Sequence, residues 1–463
     1  VPPKSSLRRP RRAATAARSC ASVAWAALAG AALSCAALAC APAPAVAPSQ
    51  APAPLRSLRI ADVDLDGEPR TVSSAEAILD LDDARYAFEH AYAGLDGRPP
   101  APSPLALARA EAALRGRAAW RPGELARLLR DVFAAPDGHL AFGHGGRAPL
   151  RLTAAPAAAP ALAPAAPAAC AGRGADARTE APPRPLDPPR RPGPPVELTQ
   201  SRDGVPVLAI RTFSAAAAPA LAALPALAAE LRRAPAFVVD LRGNAGGNYL
   251  FAERFALALT DAPLCALDER EVISVAAAEG RANSARRRLA RGDVPPEARP
   301  RFVEHLAALE RVAGALRGRA ADRAAAAPRV DLTTRGAVVR GRAAGPLEGR
   351  AVFLVDRGCA SACEMLLALV RQIPGVLVVG QNTRGGMSVG ELALFRLPRS
   401  GVTLSLGTRA YRDPLGDFVE LRGFEPDVRL DGADVVEGAA ALALRGAPSG
   451  ARRRGARTSC APR

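Results

Sequence analysis

Two short apolar runs constrain this chain more than anything else in it: AFVVDL at Ala236–Leu241 and AVFLVD at Ala351–Asp356. Each carries an aspartate at or next to its end (Asp240 and Asp356), passes through a glycine-bearing loop (RGNAGGN and RGCAS) and gives way to apolar helical sequence (YLFAERFALAL and ACEMLLALV). Unbroken rather than alternating apolar residues, several of them β-branched, predict strands covered on both faces. The preceding VPVLAIRTF reads as another strand and APALAALPALAAELRRA as a helix. This rhythm predicts an α/β domain with mostly parallel strands and helices over its faces.

Upstream, residues 58–150 read as a small helical domain. ILDLDDARYAFEHAYAGL opens with acidic residues, as a helix N-terminus favours, and carries Leu81, Tyr86, Phe88 and Tyr92 for burial. PSPLALARAEAALRG has Ser103 as a cap, Pro104 at the first helical position and Gly116 at the end. RPGELARLLRDVFAAPDGH supplies a third helix that stops at Pro136. Between the two regions, 151–196 is so rich in Ala and Pro that it reads as a linker, which leaves open a domain that docks and undocks. The catalytic region spans 197–437, with an Arg-rich helical insert at about 266–348; a C-terminal helix and basic tail occupy 438–463.

The first 40 residues combine a basic start, an apolar Ala-rich stretch and small residues at a cleavage position, the pattern of an export signal. ALAC loosely resembles a lipoprotein box with Cys40 as the lipidated residue, followed by a Pro/Ala tether at 41–57. The expected location is outside the cytoplasm, periplasmic or attached to the envelope, with membrane contact only through that anchor. The net charge of +17 does not by itself indicate nucleic-acid binding: aromatics make up 4% of the chain and no nucleic-acid motif accompanies the arginines. Cys170, Cys265, Cys359, Cys363 and Cys460 show no metal-ligand spacing, so no metal or cofactor is expected. Cys363 reads as a small buried helix residue; a bridge from Cys359 to Cys363 or Cys265 stays open.

Ser361 stands between a strand and a helix, where serine by itself reads first as a favoured N-cap and second as an exposed nucleophile beside an unpaired helix amide. The glycine-rich loop at Asn244–Gly247 can aim backbone amides at an anion, although neither GxGxxG nor a Walker sequence is present.

The ordered blocks FVVDLRGNAGGN, VFLVDRGCASACEMLLALV, VVGQNTRGGMSVGELALFRLPRSGVTLS and DFVELRGFEPDV resemble those of the C-terminal processing protease and tricorn protease family of serine peptidases, which includes the interphotoreceptor retinoid-binding proteins. The resemblance implies a core of ββα units related to the crotonase and Clp-protease fold, and hydrolysis of peptide bonds in a peptide or protein substrate through an acyl-enzyme. In the processing-protease branch a lysine activates the serine; here Gly386 occupies that place, and the only lysine is Lys4. In the tricorn-like branch the base is a histidine of the preceding domain, supported by a glutamate and a serine. By that resemblance His139 is the base, Ser361 the nucleophile and Glu420 the supporting acid, while Gly138 stands where the accessory serine would be. His144 is the runner-up base; His90 and His305 read as helix residues. The amides of Gly246 and Ala362 are the expected oxyanion donors. The alternative is an inactive envelope binding protein on the same scaffold, motivated by Gly138. No PDZ-like segment is evident, because the linker stands where some relatives carry one.

Overall fold

The computed structural model describes residues 68–94, 102–134, 137–144, 150–151, 192–292, 294, 296–322, 329–334 and 336–446. The expected export signal, Cys40, the expected tether, nearly all of the expected linker and the basic end of the tail lie outside the described residues.

Both apolar runs are neighbouring central strands of one six-stranded sheet. Its order is Val428–Arg429, Val376–Gly380, Arg350–Val355, Ala236–Asp240, Pro206–Ile210 and Val196–Gln200. All pairings are parallel except the last, which is an antiparallel hairpin. Alternate side chains of a strand point to opposite faces, and here both faces are dry. Phe237, Val239, Phe353 and Val355 pack with Phe255 and Leu366 of the helices Tyr249–Leu259 and Ala362–Val370. Val238, Val352 and Leu354 pack instead with Ala439 and Ala443 of the C-terminal helix Val435–Arg445. Burial of each such side chain contributes about 1.5–3 kcal/mol, which explains why these strands carry no polar alternation. The class is mixed α/β, as expected.

The second six-stranded sheet joins parts of the chain that the sequence assigns to separate domains. Val330–Thr334, Asp268–Ile273, Thr403–Arg412, Ala141–Gly143 and Leu150–Arg151 follow in that order, and Val389–Arg396 also pairs with Thr403–Arg412. The three helices expected before residue 150 are present at Ser74–Ala91, Pro104–Arg115 and Pro122–Val132. Ser103 holds the cap position without a side-chain capping bond, whereas Ser73 and Glu76 form a capping box that was not foreseen. These helices share a core with the second sheet: Phe88, Phe133 and Phe142 pack together with Phe395, Leu404 and Leu406.

Polar contacts reinforce the union. Asp80 accepts from the backbone of Ser400 at 2.8 Å, and Arg329 donates to the carbonyls of Glu89 and Tyr92 at the end of the first helix. A docking equilibrium would therefore have to break the backbone pairing of Phe142 with Leu404 as well as an apolar core. The insert differs from its purely helical expectation. Its helices Val275–Ala290 and Arg299–Asp322 lie between the paired strands Asp268–Ile273 and Val330–Thr334, flanked in turn by Pro263–Cys265 paired with Val338–Arg340.

Candidate active site

At the end of the strand Arg350–Val355, the chain turns through Asp356–Ala360 and enters the helix Ala362–Val370 at Ser361. Ser361 adopts φ 54° and ψ −119°, a left-handed conformation that costs a side-chain-bearing residue about 1–3 kcal/mol and persists only where its surroundings over-determine it. Four ties supply that constraint. The Ser361 N–H donates to Glu364 Oε2 at 3.0 Å, and its carbonyl accepts from Met365 at 2.9 Å. The Ala360 N–H donates to the Asn244 carbonyl at 3.1 Å. Cys359 and Cys363, both buried, form a disulfide across the turn. Cys363 is thus a buried helix residue as expected, but a bonded one, with Cys359 as its partner.

The glycine-rich loop abuts this turn. Its first limb is fixed by a two-pronged ion pair in which Arg242 Nε and Nη2 donate to Asp240 at 2.8 and 2.6 Å, both side chains being almost fully buried. Asn244 anchors the bend, donating through Nδ2 to the Ile210 carbonyl and accepting the Gly246 N–H on Oδ1, each at 2.9 Å. Gly246 has φ 88°, and a Cβ there would stand 2.6 Å from the Ala360 carbonyl oxygen and 2.8 Å from the Ala362 nitrogen. At Gly247 a Cβ would fall 2.2 Å from the Phe213 carbonyl carbon. Glycine is required at both positions by contact as well as by backbone angle. Of the two expected oxyanion donors, Ala362 heads the helix Ala362–Val370, while the Gly246 amide is turned to Asn244.

A third loop, Thr383–Ser388, is tied to the Ser361 turn by one buried acid. Glu364 has no exposed surface; it accepts the Thr383 hydroxyl and the Gly385 N–H on Oε1, both at 2.6 Å, and the Gly386 N–H on Oε2 at 2.9 Å. Burial pushes its carboxyl up to about 7, against the opposing effect of those donors. Oxygen Oε2 thus holds Ser361 and Gly386 together. Sequence reasoning passed over Glu364, although S-x-x-E at a helix start was available as a signal.

His139 arrives at this loop from the other side. A Cβ built on Gly386 would lie 3.9 Å from His139 Cε1, and one on Gly138 would lie 3.3 Å from Gly386 Cα. Glu420 spans the same junction: Oε1 accepts the Gly138 N–H at 3.1 Å and Oε2 the Ser388 N–H at 2.9 Å. Burial raises the Glu420 carboxyl above its ordinary value, with those two amides acting in the opposite direction. Asp137, fully buried, accepts the His139 N–H on Oδ1 at 2.7 Å, and the same oxygen stands 3.8 Å from His139 Nδ1. The sequence reading missed Asp137 as well, because an acid before Gly-His reads as a turn residue.

Ser361, His139, Glu420, Gly246 and Ala362 therefore converge on three adjoining loops. The remaining histidines do not join them. The His144 imidazole lies against Gly123 at the start of a helix, His90 packs on Tyr86 with ring centroids 4.4 Å apart, and His305 is paired edge-on with Phe302. Burial holds the His90 and His305 imidazoles below their ordinary values. Among the described residues no group of His, Cys, Asp and Glu could hold a metal ion, and no helix is long and apolar enough to cross a membrane.

Comparison with known proteins gives a family. Residues 204–430 match the model of peptidase family S41. No curated protein sequence matches the chain. Among solved structures, the chain resembles a candidate peptidase from Parabacteroides merdae, with 14% identity over 81% of this chain and 95% of that one and a TM-score of 0.43. It also resembles a lipoprotein from Streptococcus agalactiae, at 13% identity over 81% and 96% with a TM-score of 0.38. Mature CPAF is 19% identical, with a TM-score of 0.34, over 54% of this chain and 52% of that one, so the chain spans about half the length of that protein. The match over 204–430 takes in the glycine-rich loop, the Ser361 turn, the Thr383–Ser388 loop and Glu420: this region, a little under half of the chain, is that of peptidase family S41, a family of serine-type peptidases.

Proposed function

We propose that this chain is an exported peptidase that hydrolyses peptide bonds through an acyl-enzyme, with Ser361 as nucleophile, His139 as base and Glu420 in support. The observation that carries the reading is the junction at Gly386. Its amide shares Glu364 Oε2 with the Ser361 amide, and its missing side chain faces His139 Cε1. Gly386 is the position at which the processing branch carries its lysine, so the histidine fills space that a lysine would otherwise enter.

In this reading Ser361 Oγ attacks the carbonyl carbon of the scissile bond as its proton passes to the His139 imidazole. The oxygen of the tetrahedral intermediate gains its charge near the Ala362 N–H at the helix start, with the Gly246 amide as second donor once it turns from Asn244. Each such donor contributes roughly 100- to 1,000-fold in rate. The intermediate collapses, the C–N bond breaks and the departing amine takes the proton from His139; water then repeats the sequence on the ester. Glu420 acts through the backbone, holding Gly138 beside Ser388. Export rests on the sequence of residues 1–40, with Cys40 as the candidate lipid-bearing residue.

The test is reaction of the purified protein with a fluorophosphonate serine probe, followed by mapping of the labelled peptide. Label on Ser361, and loss of both labelling and peptide hydrolysis in Ser361→Ala and His139→Ala, supports the peptidase. A folded protein that neither reacts nor cleaves any peptide library would instead favour an inactive binding protein on the same scaffold.

A further inference from the structure

We infer that Asp137 is the residue that orients the His139 imidazole and supports its charge, a role the resemblance assigns to Glu420. The inference rests on His139 being the base. Two acids lie at the histidine loop, and their geometry divides the work between them. Both oxygens of Glu420 receive backbone amides, from Gly138 at 3.1 Å and Ser388 at 2.9 Å, so this carboxylate splints two loops together. Asp137 is directed at the histidine itself. Its Oδ1 accepts the His139 N–H at 2.7 Å and stands 3.8 Å from Nδ1, in a side chain with no exposed surface.

A backbone bond of this kind locks the carboxylate relative to the ring that follows it, so a small rotation about the His139 side chain brings Nδ1–H to hydrogen-bonding distance. Catalytic bonds of this sort are often long in the unliganded enzyme and shorten when substrate binds. With Nδ1–H turned to Asp137, the lone pair on Nε2 is the one free to take the Ser361 proton. The resulting imidazolium sits beside a carboxylate shielded from water, where the attraction is stronger than at a surface. Asp137 touches no substrate atom and is a positioning residue. It also explains how the site dispenses with an accessory serine at Gly138: the Gly138 amide occupies Glu420 directly, and the imidazole is served from two residues upstream.

Ionisable residues also lie on the other elements at the histidine loop: Glu364 on the helix Ala362–Val370, Arg384 on the Thr383–Ser388 loop, and Glu420 and Arg422 on the facing turn. The experiment therefore compares variants at one position. In wild type labelled with 13C-histidine, four imidazole signals are expected, that of His139 being identified by its loss in His139→Gln. It should titrate above the ordinary histidine value of about 6.5, with the proton of the neutral ring on Nδ1. In Asp137→Asn, which keeps an acceptor for the His139 N–H, that titration and the acid limb of kcat/KM should both move down by about one pH unit. The plateau of kcat/KM should fall at least tenfold, while Glu420→Gln should leave the His139 titration within a few tenths of a unit.

The inference is overturned if Asp137→Asn leaves both the titration and the acid limb unchanged while Ser361→Ala and His139→Ala abolish hydrolysis. It is equally overturned by a wild-type His139 that carries its neutral proton on Nε2, a measurement that needs no Asp137 variant to fold. Wild-type turnover in His139→Ala would have a different meaning, removing the proposed function along with its base.

Discussion

Gly246 lies so close to Ser361 that a Cβ on the glycine would stand 2.9 Å from the Cβ of the serine. The nearest obstacle is rigid, the Ala360 carbonyl oxygen at 2.6 Å, and the glycine backbone has φ 88°. Gly246→Ala therefore has to push the glycine-rich loop away from the Ser361 turn. The expected outcome is a fall in kcat of at least 100-fold, with a stability loss of roughly 1–3 kcal/mol from the angle alone. Probe labelling of Ser361 and thermal unfolding measure the two effects separately.

Glu364 gives a prediction with a sign. Its folded-state value, about 7, is above the ordinary carboxylate value of 4.5, so the folded protein favours the protonated form. The stability this contributes is fully present below pH 4.5 and is lost as pH rises through 7, a change of roughly 3 kcal/mol for that interval. Denaturant unfolding of wild type and Glu364→Gln at pH 4.5, 6 and 8 should show the difference between them moving against wild type as pH rises. Glutamine offers a single acceptor oxygen to the amides of Ser361, Gly385 and Gly386, so the variant should also lose at least tenfold in kcat.

Gly138→Ser tests the missing hydroxyl. Gly138 does not have positive φ, and the nearest atoms to an added Cβ are Gly386 Cα at 3.3 Å, with Glu420 Oε1 and the Gly385 carbonyl oxygen each at 3.6 Å. A serine should be accepted with a stability change within about 1 kcal/mol, since the lost freedom of the unfolded chain offsets the tight contact. Activity at or above that of wild type is expected; a tenfold loss would mean that the Gly386 backbone cannot yield.

The disulfide between Cys359 and Cys363 encloses Ser361 two residues from either side. Replacing both cysteines with alanine should leave the α/β core folded but loosen the serine turn, lowering kcat several-fold with little change in KM. Wild type treated with a thiol reductant should approach the same rate and recover on reoxidation, which steady-state kinetics with quantified free thiols would establish.

Legibility in the sequence followed the range of the interactions. AFVVDL and AVFLVD announce central strands because their environment is apolar on both sides, and a property of five consecutive residues survives without coordinates. Ser361 was visible as a residue between a strand and a helix, but the choice between cap and nucleophile needed the resemblance to a family. Asp137 was not visible, and Glu364 showed only as the acid of an S-x-x-E helix start, since their partners at Gly385, Gly386 and the His139 ring are fixed only by folding or by a side-chain rotation. The joining of the early helices to the second sheet was equally hidden. It depends on Ala141–Gly143, three residues whose partners in the second sheet's longest strand, Thr403–Ser405, lie more than two hundred and fifty positions downstream.

That three-residue strand has a consequence for how the proposed base is delivered. Because Ala141–Gly143 is hydrogen-bonded to Thr403–Ser405, His139 is held by a lateral seam rather than by the covalent thread between residues 151 and 192. Two separate polypeptides, one ending and the other starting within that thread, would rebuild the same reaction centre when mixed, and a nick there would yield a two-chain enzyme.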